Sequence, residues 1–74
     1  MILPVVLRKM ARRKLTLLNA ITRVDELRMP LGNRLESLTG DREGLYSIRI
    51  NARYRICFAW VDGVASDVEI VDYH

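Results

Sequence analysis

The sequence has few of the residues that build metal centres or disulfide frameworks. It holds one cysteine, Cys57, and one histidine, His74, among 74 residues. A disulfide needs two cysteines and a structural zinc site needs four ligands, so the composition excludes an internal disulfide and a His/Cys metal site. We therefore expect no metal and no small-molecule cofactor, and the single cysteine fits a reducing, cytoplasmic location.

Long apolar runs are also missing. Residues 1–7 are mostly apolar, but Pro4 interrupts them and Arg8 follows at once, so this segment is too short to span a membrane and lacks the hydrophobic region of a cleavable signal. Half of the residues are hydrophobic and 28% are charged, as in folded domains. We expect one globular domain over residues 1–74, with no membrane partner.

Lysine is scarce, because only Lys9 and Lys14 are lysines among the 12 basic residues. Arginine therefore dominates a net charge of +3. A planar guanidinium donates to two phosphate oxygens at once, which suits phosphate recognition. Codon usage also enriches arginine, so composition alone favours an anionic partner only modestly.

Apolar residues recur with a helical period over residues 3–21, which predicts an amphipathic helix with Pro4 in its first turn. Lys14 falls inside the apolar arc, so we expect its ammonium to extend to solvent or to meet an acidic group. Pro30 and Gly32 predict a loop over residues 25–32. Residues 33–38 fit a short helical turn or an extended segment equally well.

The period changes to two after residue 44, which predicts three strands. Turns are expected at residues 51–53 and at Asp62-Gly63, a strong hairpin signal. The residues predicted to share the core-facing side are Tyr46, Ile48, Ile50, Tyr54, Ile56, Phe58, Trp60, Val68 and Ile70. The pattern predicts an α+β fold in which the amphipathic helix packs on a small antiparallel sheet.

On the opposite face of this sheet, the alternation brings Arg49 and Arg55 side by side on neighbouring strands. Like charges in such positions repel unless an anion or a carboxylate lies between them. One interpretation is an ordinary surface network, with the counterion supplied by acids of the third strand: Asp67, Glu69 or Asp72. The functional interpretation is an anion site for phosphate.

The last two residues carry further candidate chemistry. Tyr73 continues the alternation onto the arginine face, and the unperturbed pKa of a histidine such as His74 lies near neutrality, which suits proton transfer. Terminal residues are usually frayed, so catalysis by His74 requires that the strand hold it.

Eight short segments, spread over most of the chain, together carry a family pattern. They are Arg13-Lys14-Leu15, Leu17-Leu18-Asn19-Ala20, Asn33-Arg34-Leu35-Glu36, Gly40-Asp41-Arg42, Ser47-Ile48-Arg49-Ile50-Asn51, Tyr54-Arg55-Ile56-Cys57-Phe58, Asp62-Gly63 and Glu69-Ile70-Val71-Asp72-Tyr73-His74. These segments resemble the HigB-type plasmid-maintenance toxins of the RelE superfamily.

The resemblance implies a RelE-like fold and an endoribonuclease toxin that cuts messenger RNA on the ribosome. It also implies a cognate helix-turn-helix, HigA-like antitoxin as partner. In such toxins the 2′-hydroxyl of the RNA attacks its own adjacent phosphate. The residues implied in catalysis are Arg49 and Arg55 for the phosphate, Tyr73 and His74 for positioning and proton transfer, and Asp72 for orienting His74. Arg34, Arg42 and Arg53 could add RNA contacts or serve as solvated surface charges.

The chain departs from the family pattern in two ways. Thr39 occupies a position where many members carry lysine, which removes a cation from the expected site. Members usually begin with a strand and a first helix that this chain lacks, so we expect a sheet that is one strand short, with an open edge. The alternative function is therefore a truncated or degenerate, non-catalytic member that binds an antitoxin or RNA.

Overall fold

The amphipathic pattern forms one helix. A computed structural model describes residues 3–38 and 44–72, and in it helix α1 spans Val5–Ala20. The carbonyl of Pro4 accepts hydrogen bonds from the amides of Leu7 and Arg8, both at 3.0 Å. The predicted helix over residues 3–21 is confirmed, with slightly shorter ends. No helix in the described part of the chain is both long and apolar enough to cross a bilayer.

Two short 3₁₀ helices, Val24–Arg28 and Leu31–Asn33, lie mostly within the segment 25–32 that the sequence predicted as a loop. The Glu26 carboxylate stabilises the first of them by accepting hydrogen bonds from the amides of Thr22, at 2.9 Å, and Arg23, at 2.8 Å. These backbone donors, that of Arg23 foremost, hold the pKa of Glu26 below its usual value. A carboxylate three residues after the start of a turn is a known capping pattern, and this signal was missed in the sequence.

The strands form one antiparallel sheet in the order β1-β2-β3-β4. Its strands are β1 (Glu36–Ser37), β2 (Leu45–Arg49), β3 (Tyr54–Val61) and β4 (Val64–Asp72). The predicted three-stranded meander corresponds to β2, β3 and β4, and β1 adds a strand that the sequence left undecided. The α+β class is confirmed.

The hydrophobic core lies between α1 and one face of the sheet. Ile48 on β2 pairs directly with Ile56 on β3, and both side chains are fully buried. Leu7 and Leu18 of α1 belong to the same core cluster. Burying side chains of this size stabilises a fold by about 1.5–3 kcal/mol each. Because side chains alternate along a strand, burying these residues on the α1 side places Arg49 and Arg55 on the opposite side of the sheet.

A β-bulge interrupts the predicted alternation of β4. Cys57 pairs with Glu69 but Ala59 pairs with Ser66, so two β4 residues, Asp67 and Val68, oppose one β3 residue. Asp67 has a positive φ of 50°, as a bulged residue often does. Val68 was predicted to share the core-facing side with Ile70, but it is 41% exposed.

In the described part of the chain Lys14 meets a neutral partner in place of an acidic group. The residue is half-buried, and its Nζ donates a hydrogen bond to the side-chain oxygen of Asn33. Asn33 is completely buried. The partner of the Lys14 ammonium is thus a neutral amide oxygen. This hydrogen bond joins α1 to the segment that leads into β1.

Candidate anion-binding cleft

The sheet face opposite α1 carries polar residues in register. Arg49 on β2 pairs with Arg55 on β3, as the strand alternation predicts. One step along the sheet, Ser47 on β2 lies between Glu36 on β1 and Cys57 on β3. Since residues paired across antiparallel strands point to the same face, a glutamate joins the two arginines on this surface.

Both arginines and Glu36 line a cleft of about 270 Å³ next to β1. The residues that line it are Arg34, Glu36, Arg49, Asn51, Ala52 and Arg55. Three are cations and one is a carboxylate, so this surface carries an excess of positive charge. Such a concave, positively charged site is suited to an anion.

Arg55 is held in place by acceptors of its own chain. Nε donates to Oγ of Ser47 at 2.9 Å, and one terminal nitrogen donates to the backbone oxygen of Arg34 at 2.6 Å and to that of Ser47 at 3.3 Å. The Arg55 residue is 7% exposed and Ser47 is 1% exposed. The guanidinium is therefore a fixed cation at the floor of the cleft.

Arg49 differs from Arg55 in its surroundings. Its residue is half-buried, and its guanidinium forms no hydrogen bond or ion pair with any residue in the ranges 3–38 and 44–72. Within these ranges none of its five N–H donors has a partner. The pair thus combines one cation held by several hydrogen bonds with one that has none among the described residues.

Glu36 is a cleft residue that the sequence analysis did not single out. Its Oε1 lies 3.9 Å from a terminal nitrogen of Arg55, and its side chain is 54% exposed. Only the arginine side of this pair is buried, and 3.9 Å is longer than a hydrogen bond, so the carboxylate is held only weakly. The position became identifiable only when residues 36–37 were placed in a strand next to β2.

Asp72 contacts Arg53 in the described part of the chain. Its two carboxylate oxygens accept hydrogen bonds from Nε and a terminal nitrogen of Arg53, at 3.0 and 2.8 Å, and this contact raises the pKa of Arg53. Arg53 also lies over the ring of Tyr54, 5.3 Å from its centroid. An orienting role of Asp72 towards His74 and an RNA contact by Arg53 both stay predictions.

The remaining predicted residues divide into two groups. Arg34 lines the cleft and presents its backbone oxygen to Arg55. Arg42, Tyr73 and His74 lie outside the described residues, as does Thr39, so their predicted roles are untested.

A helix packed on an antiparallel sheet, with an arginine-lined cleft on the opposite face, defines a small α+β domain with a positively charged cleft. The whole chain, residues 1–74, matches the family model of HigB-like toxins, described as RelE-like toxins of type II toxin–antitoxin systems. The chain belongs to this family.

Two curated relatives support the assignment. The chain is 53% identical over 53 residues to Toxin HigB-1 of Vibrio cholerae, an alignment that covers 72% of this chain and 56% of the relative. It is 36% identical over 61 residues to Endoribonuclease HigB of Proteus vulgaris, covering 82% of this chain and 65% of the relative. The matched segments thus span between one half and two thirds of these relatives.

Proposed function

We propose that this protein is an endoribonuclease toxin that cuts messenger RNA on the ribosome and is neutralised by a cognate, HigA-like antitoxin. Family membership and the relative named an endoribonuclease support this function. The observation that carries it is the pairing of Arg49, whose donors have no partner among the described residues, with the fixed cation of Arg55 in one cleft. A neutralising antitoxin is consistent with the type II toxin family.

The chemistry proposed here needs no protein nucleophile. The ribose 2′-oxygen attacks the adjacent phosphorus and loses its proton, while the bond from phosphorus to the 5′-oxygen of the next nucleotide breaks and that oxygen gains a proton. The products are a 2′,3′-cyclic phosphate and a 5′-hydroxyl. Negative charge builds up on the phosphoryl oxygens in the transition state, and Arg49 and Arg55 stabilise it.

Two proton transfers accompany this step. Glu36 is our candidate for accepting the 2′-hydroxyl proton, because its exposed carboxylate lies at the cleft beside Arg55. His74 is the candidate for donating a proton to the leaving 5′-oxygen, with Tyr73 positioning the substrate and Asp72 orienting His74. These last three roles rest on the family resemblance of the carboxy-terminal motif.

The alternative is a non-catalytic member of the family that binds antitoxin or RNA. Thr39, in place of a lysine, motivates this alternative, as does the extent to which Arg55 is already engaged by Ser47 and Arg34. A phosphate would then contact chiefly Arg49 and would be held without being cut.

The test is cleavage of messenger RNA on purified, programmed ribosomes, with protein whose folding is verified by circular dichroism. We expect a cut that leaves a 2′,3′-cyclic phosphate. A messenger RNA with a single 2′-deoxynucleotide at that position should stay intact there, because DNA-like sugars lack the attacking hydroxyl. Folded protein that leaves both messages uncut would overturn the enzymatic proposal and favour the non-catalytic alternative.

A further inference from the structure

Arg34 has an unusual backbone conformation, and its carbonyl accepts a hydrogen bond from Arg55. Arg34 follows the short helix Leu31–Asn33 directly and has φ 44° and ψ 57°, in the left-handed region. Residues with a Cβ atom rarely adopt this conformation, because the Cβ then crowds the following carbonyl oxygen. Here the conformation accompanies a close contact, since the Arg34 carbonyl accepts a hydrogen bond from the Arg55 guanidinium at 2.6 Å.

Asn33, the residue before Arg34, is buried and hydrogen-bonded to the surrounding backbone. Asn33 is 0% exposed, and its side-chain nitrogen donates to the carbonyl oxygens of Leu27, at 3.2 Å, and Met29, at 3.3 Å. Its backbone amide donates to the carbonyl of Pro30 at 2.9 Å. These three hydrogen bonds hold the segment between Leu27 and Asn33 in one compact turn.

Lys14 connects this closed segment to α1. Its Nζ donates to the side-chain oxygen of Asn33, so both ends of the asparagine amide are occupied. A charged donor strengthens a hydrogen bond to an amide oxygen, and it also fixes which end of the amide faces the helix. The chain of contacts then runs from Lys14 to Asn33, along the backbone to the Arg34 carbonyl, and from there to the guanidinium of Arg55.

We propose that Lys14 and Asn33 are positioning residues for the cleft, which set the Arg34 carbonyl and thereby fix the orientation of Arg55. The expected effect on the cleavage rate rests on the proposed function, whereas the effect on the orientation of Arg55 does not. Neither residue lines the cleft, so removing their contact should disturb the geometry around Arg55 without removing a group that contacts RNA.

The first test is an NMR measurement on the whole chain that requires no activity. The Nε–H signal of Arg55 reports its hydrogen bond to Ser47, and we compare it in the parent, Lys14→Met and the control Lys9→Met. Lys9 is an exposed lysine of the same helix. We expect Lys14→Met to shift this signal and to speed its exchange with solvent at least about tenfold, and Lys9→Met to leave it unchanged.

A second variant, Asn33→Asp, keeps the size of the side chain and removes the two donors to Leu27 and Met29. It tests the same proposal from the other end and remains decisive should Lys14→Met fail to fold by circular dichroism. Lys14→Arg retains a charged donor, so its Arg55 Nε–H signal should lie closer to that of the parent than the signal of Lys14→Met does. An unchanged Arg55 signal in folded Lys14→Met or in folded Asn33→Asp would overturn the proposal.

The kinetic test uses single-turnover cleavage on programmed ribosomes. Small displacements of a charged group at a reaction centre have large effects on rate, so we expect Lys14→Met to slow the cutting step about tenfold or more. Binding to the ribosome should change less than about twofold, because the charge-dependent contacts in the cleft remain. A parent that does not cut would refute the proposed function alone, and the NMR comparison would still decide whether Lys14 and Asn33 position Arg55.

Discussion

Ser47 should be one of the most sensitive polar residues of the chain. Its Oγ accepts the hydrogen bond of Arg55 Nε at 2.9 Å, and the residue is 1% exposed. In Ser47→Ala the Arg55 Nε–H remains buried without this acceptor. A buried donor that loses its partner costs about 1–3 kcal/mol, and donors on charged groups lie towards the upper end. We therefore expect the free energy of unfolding to fall by about 2 kcal/mol.

This loss is large for so short a chain. Domains of this size are stable by several kcal/mol in total, and about 2 kcal/mol corresponds to a drop in Tm of about 10 °C. Urea unfolding followed by circular dichroism measures it, provided that the dependence on urea concentration stays the same in both proteins.

Ser37→Ala is the matched control, since Ser37 is an exposed serine on the neighbouring strand β1. Its effect should stay within about 0.5 kcal/mol, as for most exposed positions. If Ser47→Ala changed stability as little as Ser37→Ala, the conclusion that Arg55 is fixed by a buried hydrogen bond would be refuted.

Three further substitutions test other parts of the fold by urea unfolding. Ile48→Val removes one methylene group from a fully buried side chain and should cost about 1 kcal/mol; no loss would contradict its place in the core. Glu26 has a lowered pKa in the folded state, so its contribution to the free energy of unfolding is present above the pKa of the unfolded chain and is lost as the pH falls through the folded pKa. Glu26→Gln should therefore make the stability depend less on pH in the acid range. A stability profile against pH that stays the same in Glu26→Gln would argue against the capping contact. Arg53→Gln breaks a largely exposed pair with Asp72 and should cost less than about 1 kcal/mol, whereas a larger loss would assign this pair a structural role.

The sheet was predictable because its pattern is local. Alternating apolar residues predict the strands, and the short turn at residues 51–53 sets the register between β2 and β3, which brings Arg49 next to Arg55. The amphipathic helix followed from periodicity in the same way. The two paired arginines of the candidate cleft were therefore accessible from the sequence alone.

Other features of the site and fold were not accessible from local patterns in the sequence. Glu36 joins the cleft through a two-residue strand, too short to give a periodic signal. The contact of Lys14 with Asn33 joins residues 19 positions apart, and neither residue type by itself indicates the other. The β4 bulge likewise has no sequence marker, because Asp67 adopts a positive φ that glycine or asparagine would have announced more clearly.

The most direct test of the central claim is the single-turnover cleavage rate of Arg49→Gln on programmed ribosomes. Arg12→Gln is the control, because it removes the same charge from an exposed position of α1. Losing one group that stabilises the transition-state charge costs about 10²–10³ in rate, so Arg49→Gln should cut at least about a hundredfold more slowly than the parent. A folded Arg49→Gln variant that cuts as fast as Arg12→Gln would contradict the assignment of this cleft as the phosphate site.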